Sequence, residues 1–362
     1  MITRLAKRSL GMLAVLAGAA LVATAAFAAF PHVGTREQQL TAAVHHLCHS
    51  VRAKHCRSST PSPSTTPTPA NTSSSPSPTS TPTPTSTSPS PSPSPTPTPT
   101  PTGKPPVVVI LLENHEYGDI VGSASASYVN GTLIPSGRLF TNYYAVSHPS
   151  LPNYLALTVG DTCGKDGSDS VSPLCAEPSI WGQLSSAGIR AAQWSENESA
   201  GCSYTSDATG AYVERHDSYA VVAGAHSLSL CGDHTLGTGT ASPGVGALVT
   251  ALQSASPPAY SFVTPNLNDD MHNTNIQAGD SWLAANVPPL LKAGAVVIVT
   301  FDEGTTSTNG GGHVMTVETG PGIPAGAQDG TFYTHYSLLA GIESYFSLPL
   351  LGNARTAAKL PV

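Results

Sequence analysis

Charge is what this chain has least of. Only 10% of its 362 residues are Asp, Glu, Lys or Arg, and 22 acids outnumber 15 Lys and Arg, for a formal net charge of −7. No basic patch with interleaved aromatics occurs, which excludes nucleic acid as a main partner. A G-x-S-x-G turn is also missing, which excludes the strained nucleophile elbow of an α/β-hydrolase. Gly279-Asp280-Ser281 imitates the opening of a GDS-type esterase, but it stands before a mid-domain helix rather than after the first strand. Cysteine stops at six residues. In an exported chain these read as disulfides, and the simplest local pairing is Cys48–Cys56, Cys163–Cys175 and Cys202–Cys231. The same argument reads His45, His46, Cys48, His49, His55 and Cys56 as a small disulfide loop rather than a metal site.

Export is itself read from the start of the chain. Residues 1–30 combine a basic opening (Arg4, Lys7, Arg8) with a small-residue apolar stretch and the cleavage-like Ala26-Phe27-Ala28, the pattern of a secretory signal. The run from Leu10 to Phe30 also reaches the roughly 20 residues of a bilayer span, so an uncleaved membrane anchor is the alternative. Either way the remainder is expected to be secreted or tethered on the extracellular face. A short segment, 31–57, leads into residues 58–103, almost only Pro, Ser and Thr. Such a tract cannot bury enough apolar surface to offset its ordering entropy, and it reads as a disordered, semi-rigid stalk. Residues 104–362 suit one α/β domain, expected to be monomeric.

Within that domain, Val107 to Leu112 and Ala295 to Phe301 are continuous β-branched apolar runs, as strands buried on both faces of a parallel sheet require. Ala259 to Thr264 is a third. Residues 179–187 read as a helix stopped by Gly188, followed by a strand at 189–194. Residues 281–292 look helical but broken by Pro288-Pro289, and 336–346 form a last helix. Alternation of this kind predicts an α/β fold with a mostly parallel central sheet and helices on both faces. The stretch from about Cys163 to His234 is otherwise irregular, and reads as loops over the active edge tied down by disulfides.

The strand ends carry the chemistry. The first run ends in Glu113-Asn114, the last in Asp302-Glu303, and the third runs into Asp270 and His272. Ligands of open α/β sheets bind outside these carboxyl ends. Ser150 precedes Pro152, Asn153 and an apolar helical start, where free N–H groups and the helix dipole favour a phosphate. Asn153 can aim its amide at a phosphoryl oxygen. Glu113, Asn114, Asp302 and Glu303 offer oxygen ligands to a divalent cation, with Ser150 Oγ completing the set. A cation there would activate an otherwise poor nucleophile. The product of attack would be a phosphoserine, with His216, His272 and His335 as candidate acids.

In order along the chain, ValIleLeuLeuGluAsnHis at 109–115, HisProSerLeuProAsnTyr at 148–154, ThrProAsnLeuAsnAspAspMetHis at 264–272 and PheAspGluGly at 301–304 stand with GlyProGly at 320–322 and HisTyrSerLeuLeu at 335–339. As a set they resemble the bacterial phosphoesterase family of the alkaline phosphatase superfamily, which holds secreted acid phosphatases, phosphatidylinositol 3-phosphatases and relatives of phospholipase C. The resemblance covers about residues 105–355. It implies an alkaline-phosphatase-like fold, Ser150 as nucleophile, Asn153 as phosphate donor, and Glu113, Asn114, Asp302 and Glu303 as metal ligands. It also implies His216, in an Arg215-His216 pair, near the phosphate, with Asp270, His272 and His335 lining the second half of the site and Asp270 a further candidate metal ligand. Two-zinc relatives carry Asp-His where this chain has Asp302-Glu303, which favours Mg, Ca or Mn over Zn. His313 falls where relatives vary and is a weak candidate. A sulfatase would need Arg four residues after its nucleophile, but position 154 is Tyr.

The expectation is therefore a secreted or surface-tethered phosphatase acting on phosphate monoesters, with a phospholipid headgroup among the implied substrates. Two readings compete with it: a phosphodiesterase or phospholipase C of the same fold, and a non-enzymatic surface binding protein, for which the acid set would have no use.

Overall fold

Three continuous apolar runs build the middle of a seven-stranded sheet. The computed structural model describes residues 103–198, 206, 210–228 and 244–362. The expected leader, the segment 31–57, the Pro/Ser/Thr tract and the pairings Cys48–Cys56 and Cys202–Cys231 lie outside the described residues. Strands β1 (Val107–Leu112), β5 (Tyr260–Thr264) and β6 (Val296–Phe301) are buried at every position. That is why their sequences show no alternation: both faces meet apolar neighbours. With β2 (Gly137–Phe140), β4 (Ala191–Ser195), β7 (Thr316–Thr319) and β8 (Ala327–Asp329) the order is β4-β5-β1-β6-β7-β2-β8. Strand β7 pairs antiparallel with both β6 and β2, and every other pairing is parallel. A small second sheet pairs β3 (Tyr143–Tyr144) with β9 (Tyr333–Thr334). The α/β expectation with a mostly parallel sheet holds.

Helices α1 (Ser150–Val159), α2 (Ile180–Ser186), α3 (Gly246–Leu252), α4 (Ile276–Lys292) and α5 (His335–Tyr345) accompany the sheet. Helix α2 begins where Ser179 Oγ accepts from Gly182 N at 3.3 Å, and Gly188, at φ 67°, ends the segment as expected. Helix α4 corrects the sequence reading twice. It starts earlier, where Asn275 caps Ala278 N at 3.0 Å, and it runs unbroken through Pro288 and Pro289. The two prolines remove the N–H groups that would bond the carbonyls of Ala284 and Ala285. Both alanines are exposed, so water can serve those carbonyls while Leu283, Val287 and Leu290 hold the buried face. No helix among the described residues is long and apolar enough to cross a membrane.

The Gly279-Asp280-Ser281 sequence turns out to be architectural. Asp280 is buried, and its carboxylate accepts from Tyr128 N at 2.9 Å, Val129 N at 2.9 Å and Ser127 Oγ at 3.3 Å. It thereby caps the helical turn Val129–Leu133 from a different part of the chain. Ser281 is exposed, and its Oγ bonds only the Gln277 carbonyl of its own helix. Asp280→Ala is expected to cost about 3 kcal/mol, because it leaves two main-chain donors without an acceptor. Ser281→Ala should stay within about 0.5 kcal/mol. Denaturant midpoints of the two variants check the contrast.

Candidate active site

The site forms where β1 and β6 end side by side and α1 begins. Helix α1 is an unusual mount, since all ten of its residues are buried. Pro152 fits its first turn, where no intrahelical N–H is needed. Gly160 ends it at φ 75°, in the left-handed region, where a Cβ would stand 2.7 Å from the Leu351 carbonyl. Ser150 opens the helix at 3% exposure, and its Oγ donates to Glu113 Oε2 at 3.0 Å and lies 3.5 Å from Glu303 Oε1. Tyr154, one turn on and on the same side, donates to Glu113 Oε1 at 2.6 Å. Glu113 N in turn donates to the Asp270 carbonyl at 2.9 Å, tying the end of β1 to the loop after β5.

Four carboxylates meet here: Glu113, Asp270, Asp302 and Glu303. Burial, then the charges of Asp302 and Asp270, pushes Glu113 well above the ordinary range. Burial first and Glu303 second raise Asp302 to about 7, and burial likewise raises Asp270 and Glu303. Such a set is unfavourable without a compensating positive charge. The Asn114 side-chain oxygen adds to the crowding, because it faces only acceptors, Glu113 Oε2 at 2.9 Å and Asp302 Oδ1 at 3.2 Å. Two arrangements relieve this: turning the amide so that its nitrogen donates to both carboxylates, or placing a cation among the oxygens. Asp302 Oδ2 and Asp270 Oδ2 are buried and have no hydrogen-bond partner. The residues present thus fit a hard divalent ion.

The histidines separate into distinct roles. His216 is 2% exposed and stacks on Tyr154 with ring centroids 5.1 Å apart. Its Nδ1 lies 3.4 Å from Glu113 Oε1, yet neither ring nitrogen makes a hydrogen bond. Burial, then Arg215 and His272, holds it well below its ordinary pKa, so it is neutral and available as a ligand. Glu113, His216 and Asp270 bring one ligand atom each to within 4.8 Å of one another, a second place for a cation on the far side of Glu113. His272 is half-buried beside His216, with centroids 5.9 Å apart.

His335 and His313 do other work. His335 Nε2 donates to the Asp302 carbonyl at 2.5 Å, and Nδ1 accepts from Tyr143 Oη at 3.0 Å. A carbonyl only accepts, so this tautomer is the one that satisfies both bonds. Burial lowers His335 to about 4, and with both nitrogens engaged it fixes the backbone of Asp302 instead of delivering a proton. His313 lies between Tyr117 at 4.3 Å and Tyr144 at 4.9 Å, and is a packing residue. Asn153 also departs from its expected orientation. Its Oδ1 accepts from Val146 N at 3.0 Å and Ser147 N at 3.2 Å, and its Nδ2 donates to the Ser147 carbonyl at 2.8 Å. In this arrangement it shapes the turn before Ser150 and directs no donor at a phosphate.

Several contributors went unread in the sequence. Tyr154 had a signal, since it follows Ser150 by four residues on a helix. His148 had one too, in the same motif: its Nδ1 lies 2.5 Å from Glu303 Oε2 and its Nε2 donates to the Thr306 carbonyl at 2.9 Å. Burial works against its charged form, but these bonds and the neighbouring carboxylates leave its pKa raised. Glu116 had none. It accepts from Thr305 N, Thr306 N and His313 N and so pins the loop after Glu303. A Cβ at Gly312, at φ 93°, would come within 2.6 Å of that carboxylate. The Cys163–Cys175 bridge forms as expected, and Cys175 pairs with Val222 across the loops beside the site.

Comparison with known proteins places this geometry in context. A model of the phosphoesterase family matches residues 131–349. An acid phosphatase of Aspergillus fumigatus is 30% identical over 269 residues, covering 67% of this chain and 55% of that protein. A phosphatidylinositol-3-phosphatase of Mycobacterium tuberculosis is 29% identical over 255 residues, covering 69% of this chain and 80% of that protein. The chain spans about half the length of the fungal acid phosphatases it matches. Among solved structures, a protein of the alkaline phosphatase superfamily from Vibrio parahaemolyticus superimposes with a TM-score of 0.49 at 16% identity, over 72% of this chain and 71% of the other.

Proposed function

The chain belongs to the phosphoesterase family, and on that footing we propose that it is a metal-assisted phosphatase that hydrolyses phosphate monoesters through Ser150. The observation that carries this reading is the position of Ser150 Oγ, 3.0 Å from Glu113 Oε2 at the carboxyl end of β1 and 3.5 Å from Glu303 Oε1 beyond β6. Glu113, Asn114, Ser150, Asp302 and Glu303 would hold the cation. Their uniformly hard oxygen donors favour Mg, Ca or Mn over Zn. When bound, a divalent ion lowers the pKa of the serine hydroxyl and neutralises charge on the phosphoryl oxygens.

The rest is done by side chains of the chain itself. Ser150 Oγ attacks phosphorus, its proton passing toward the carboxylates it already faces, and the bond from phosphorus to the leaving oxygen breaks. Tyr154 keeps Glu113 oriented, His148 keeps Glu303 oriented, and His335 holds the Asp302 backbone. His272, half-exposed beside His216, would protonate the leaving oxygen. Water then cleaves the phosphoserine and releases inorganic phosphate.

One relative bears on substrate. The mycobacterial one is a phosphatidylinositol-3-phosphatase, and that similarity supports a phosphorylated headgroup as one monoester class. The Cys163–Cys175 bridge supports an oxidising compartment, in keeping with the secretory reading of residues 1–30.

Hydrolysis of p-nitrophenyl phosphate by the full chain, before and after chelation, tests the proposal. The expected result is turnover that falls at least roughly 100-fold on metal removal and returns with Mg, Ca or Mn. Undiminished turnover by protein shown to be metal-free would end the metal role. Turnover of bis(p-nitrophenyl) phosphate alone would move the substrate class to diesters.

A further inference from the structure

The first turn of α1 already holds an anion, and that anion belongs to the chain itself. Pro149, which precedes the helix, has no side-chain acceptor to offer its free N–H groups. Asp169 supplies one from outside. Leu151 N donates to Asp169 Oδ1 at 3.0 Å, and Arg215 Nε lies 3.2 Å from Asp169 Oδ2. Leu151 N–H is the first main-chain donor after the nucleophile. An oxygen on a phosphorus bonded to Ser150 Oγ would fall within its reach. Arg215 adjoins His216 in the helical turn Glu214–His216, which packs against α1. A guanidinium beside a helix N-terminus is the pairing that phosphate recognition uses.

The loop that carries Asp169 is built to hold it there. Cys163–Cys175 closes it. Before Asp169, Asp166 Oδ1 accepts from Ser147 Oγ at 2.6 Å, and Gly167 N donates to the His148 carbonyl at 2.7 Å. Three successive contacts thus lace the loop to residues 147, 148 and 151, on both sides of Ser150. Asp169 itself keeps 35% of its side chain exposed, so it can leave without opening the core.

We propose that Asp169 is an internal competitor for substrate phosphate, accepting from Leu151 N–H and pairing its charge with the Arg215 guanidinium, whose Nε makes no hydrogen bond, until a phosphate displaces it. The proposal rests on the phosphatase reading above. No bond is made or broken in the exchange; one anion replaces another on the same donors. The competition weakens the binding of substrate and inorganic phosphate alike and so speeds product release.

The test is calorimetric binding of inorganic phosphate to the full chain, with Asp169→Asn beside the unaltered protein. Asparagine keeps an acceptor for Leu151 N but removes the charge that holds Arg215. Phosphate is expected to bind about tenfold tighter, within the range for a charge near a helix end. KM for p-nitrophenyl phosphate should fall by a similar factor while kcat does not rise. Asp169→Ala, which removes the acceptor as well, should bind phosphate at least as tightly although its unliganded form melts lower. Unchanged or weaker phosphate binding in both variants would overturn the proposal and leave Asp169 a helix cap. The binding measurement needs no turnover, so the two readings fail separately. Turnover with unaltered phosphate affinity in the variants sinks only the competitor. Absence of both turnover and phosphate binding in all three proteins sinks the phosphatase reading and the competitor with it.

Discussion

Ser150→Ala is expected to abolish phosphate ester hydrolysis, by roughly 10⁴-fold or more, without unfolding the protein. The two halves of that expectation have separate grounds. Alanine favours the helical conformation and fills the same buried space, and α1 keeps its packing against α5 and the turn Glu214–His216. What it loses is the Ser150 hydroxyl aimed at Glu113 Oε2, the acceptor for the phosphoryl group. Glu113 keeps its bond from Tyr154 at 2.6 Å, so the acid cluster is not scattered by the change. Steady-state rates alongside a melting curve decide the matter. A variant that retains turnover within tenfold of the parent, with an unaltered melting curve, would remove Ser150 as the nucleophile.

The second large effect concerns Asp302, and it has opposite signs with and without metal. Asp302→Asn should lower metal content and hydrolysis together. A cation is worth several kcal/mol of transition-state stabilisation, on the order of 10³-fold in rate. In metal-free protein the same change should stabilise the fold, because the carboxylate is buried beside Glu303 and Glu113 and one of its oxygens has no partner. The pH dependence follows from the same shift. The folded state holds the Asp302 proton up to about 7, whereas the unfolded chain releases it near its ordinary 3.8. Between those values the folded state binds more protons, so raising the pH across that window destabilises metal-free protein. The melting temperature of chelated protein is therefore expected to fall between pH 4 and pH 7, less steeply in Asp302→Asn. Added divalent metal should restore the melting temperature of the parent at pH 7 and leave the variant unmoved. A variant that binds metal like the parent would exclude Asp302 as a ligand.

How much of this was legible in the sequence depends on the kind of signal. Strands β1, β5 and β6 were plain, because full burial leaves unbroken apolar runs, and their carboxyl ends located Glu113, Asp302 and Asp270. Strands β7 and β8 were not read. Each is short, and Thr316–Thr319 carries Glu318, whose ion pair with Arg138 on β2 at 3.2 Å becomes visible only once the strands are neighbours. The run through Pro288-Pro289 misled because composition cannot say that the carbonyls freed by the prolines belong to exposed alanines. At the site, residue types suggested roles that geometry redistributes. Residue type suggests that Asn153 and His335 meet substrate, yet Asn153 spends its polar atoms on the backbone before Ser150, and His335 divides its two nitrogens between the Asp302 carbonyl and the Tyr143 hydroxyl. His216 was expected near phosphate, and its nearest carboxylate is Glu113. Asp169 had no signal at all, since its partners at 151 and 215 come together only in three dimensions.

The complete enclosure of α1 has a consequence for how such a chain can drift in sequence. Most helices keep one side turned to water, and that side absorbs substitutions at little cost. Ser150–Val159 has no such side. Any enlargement between Leu151 and Val159 presses on a neighbouring element, and any trimming leaves a void, at costs of about 1–5 kcal/mol. A saturation library across these ten positions should therefore return few folded members at any of them, including those that never touch the acid cluster. Intolerance to substitution along this helix would then report the absence of a free surface, and would be misread as a map of catalytic residues.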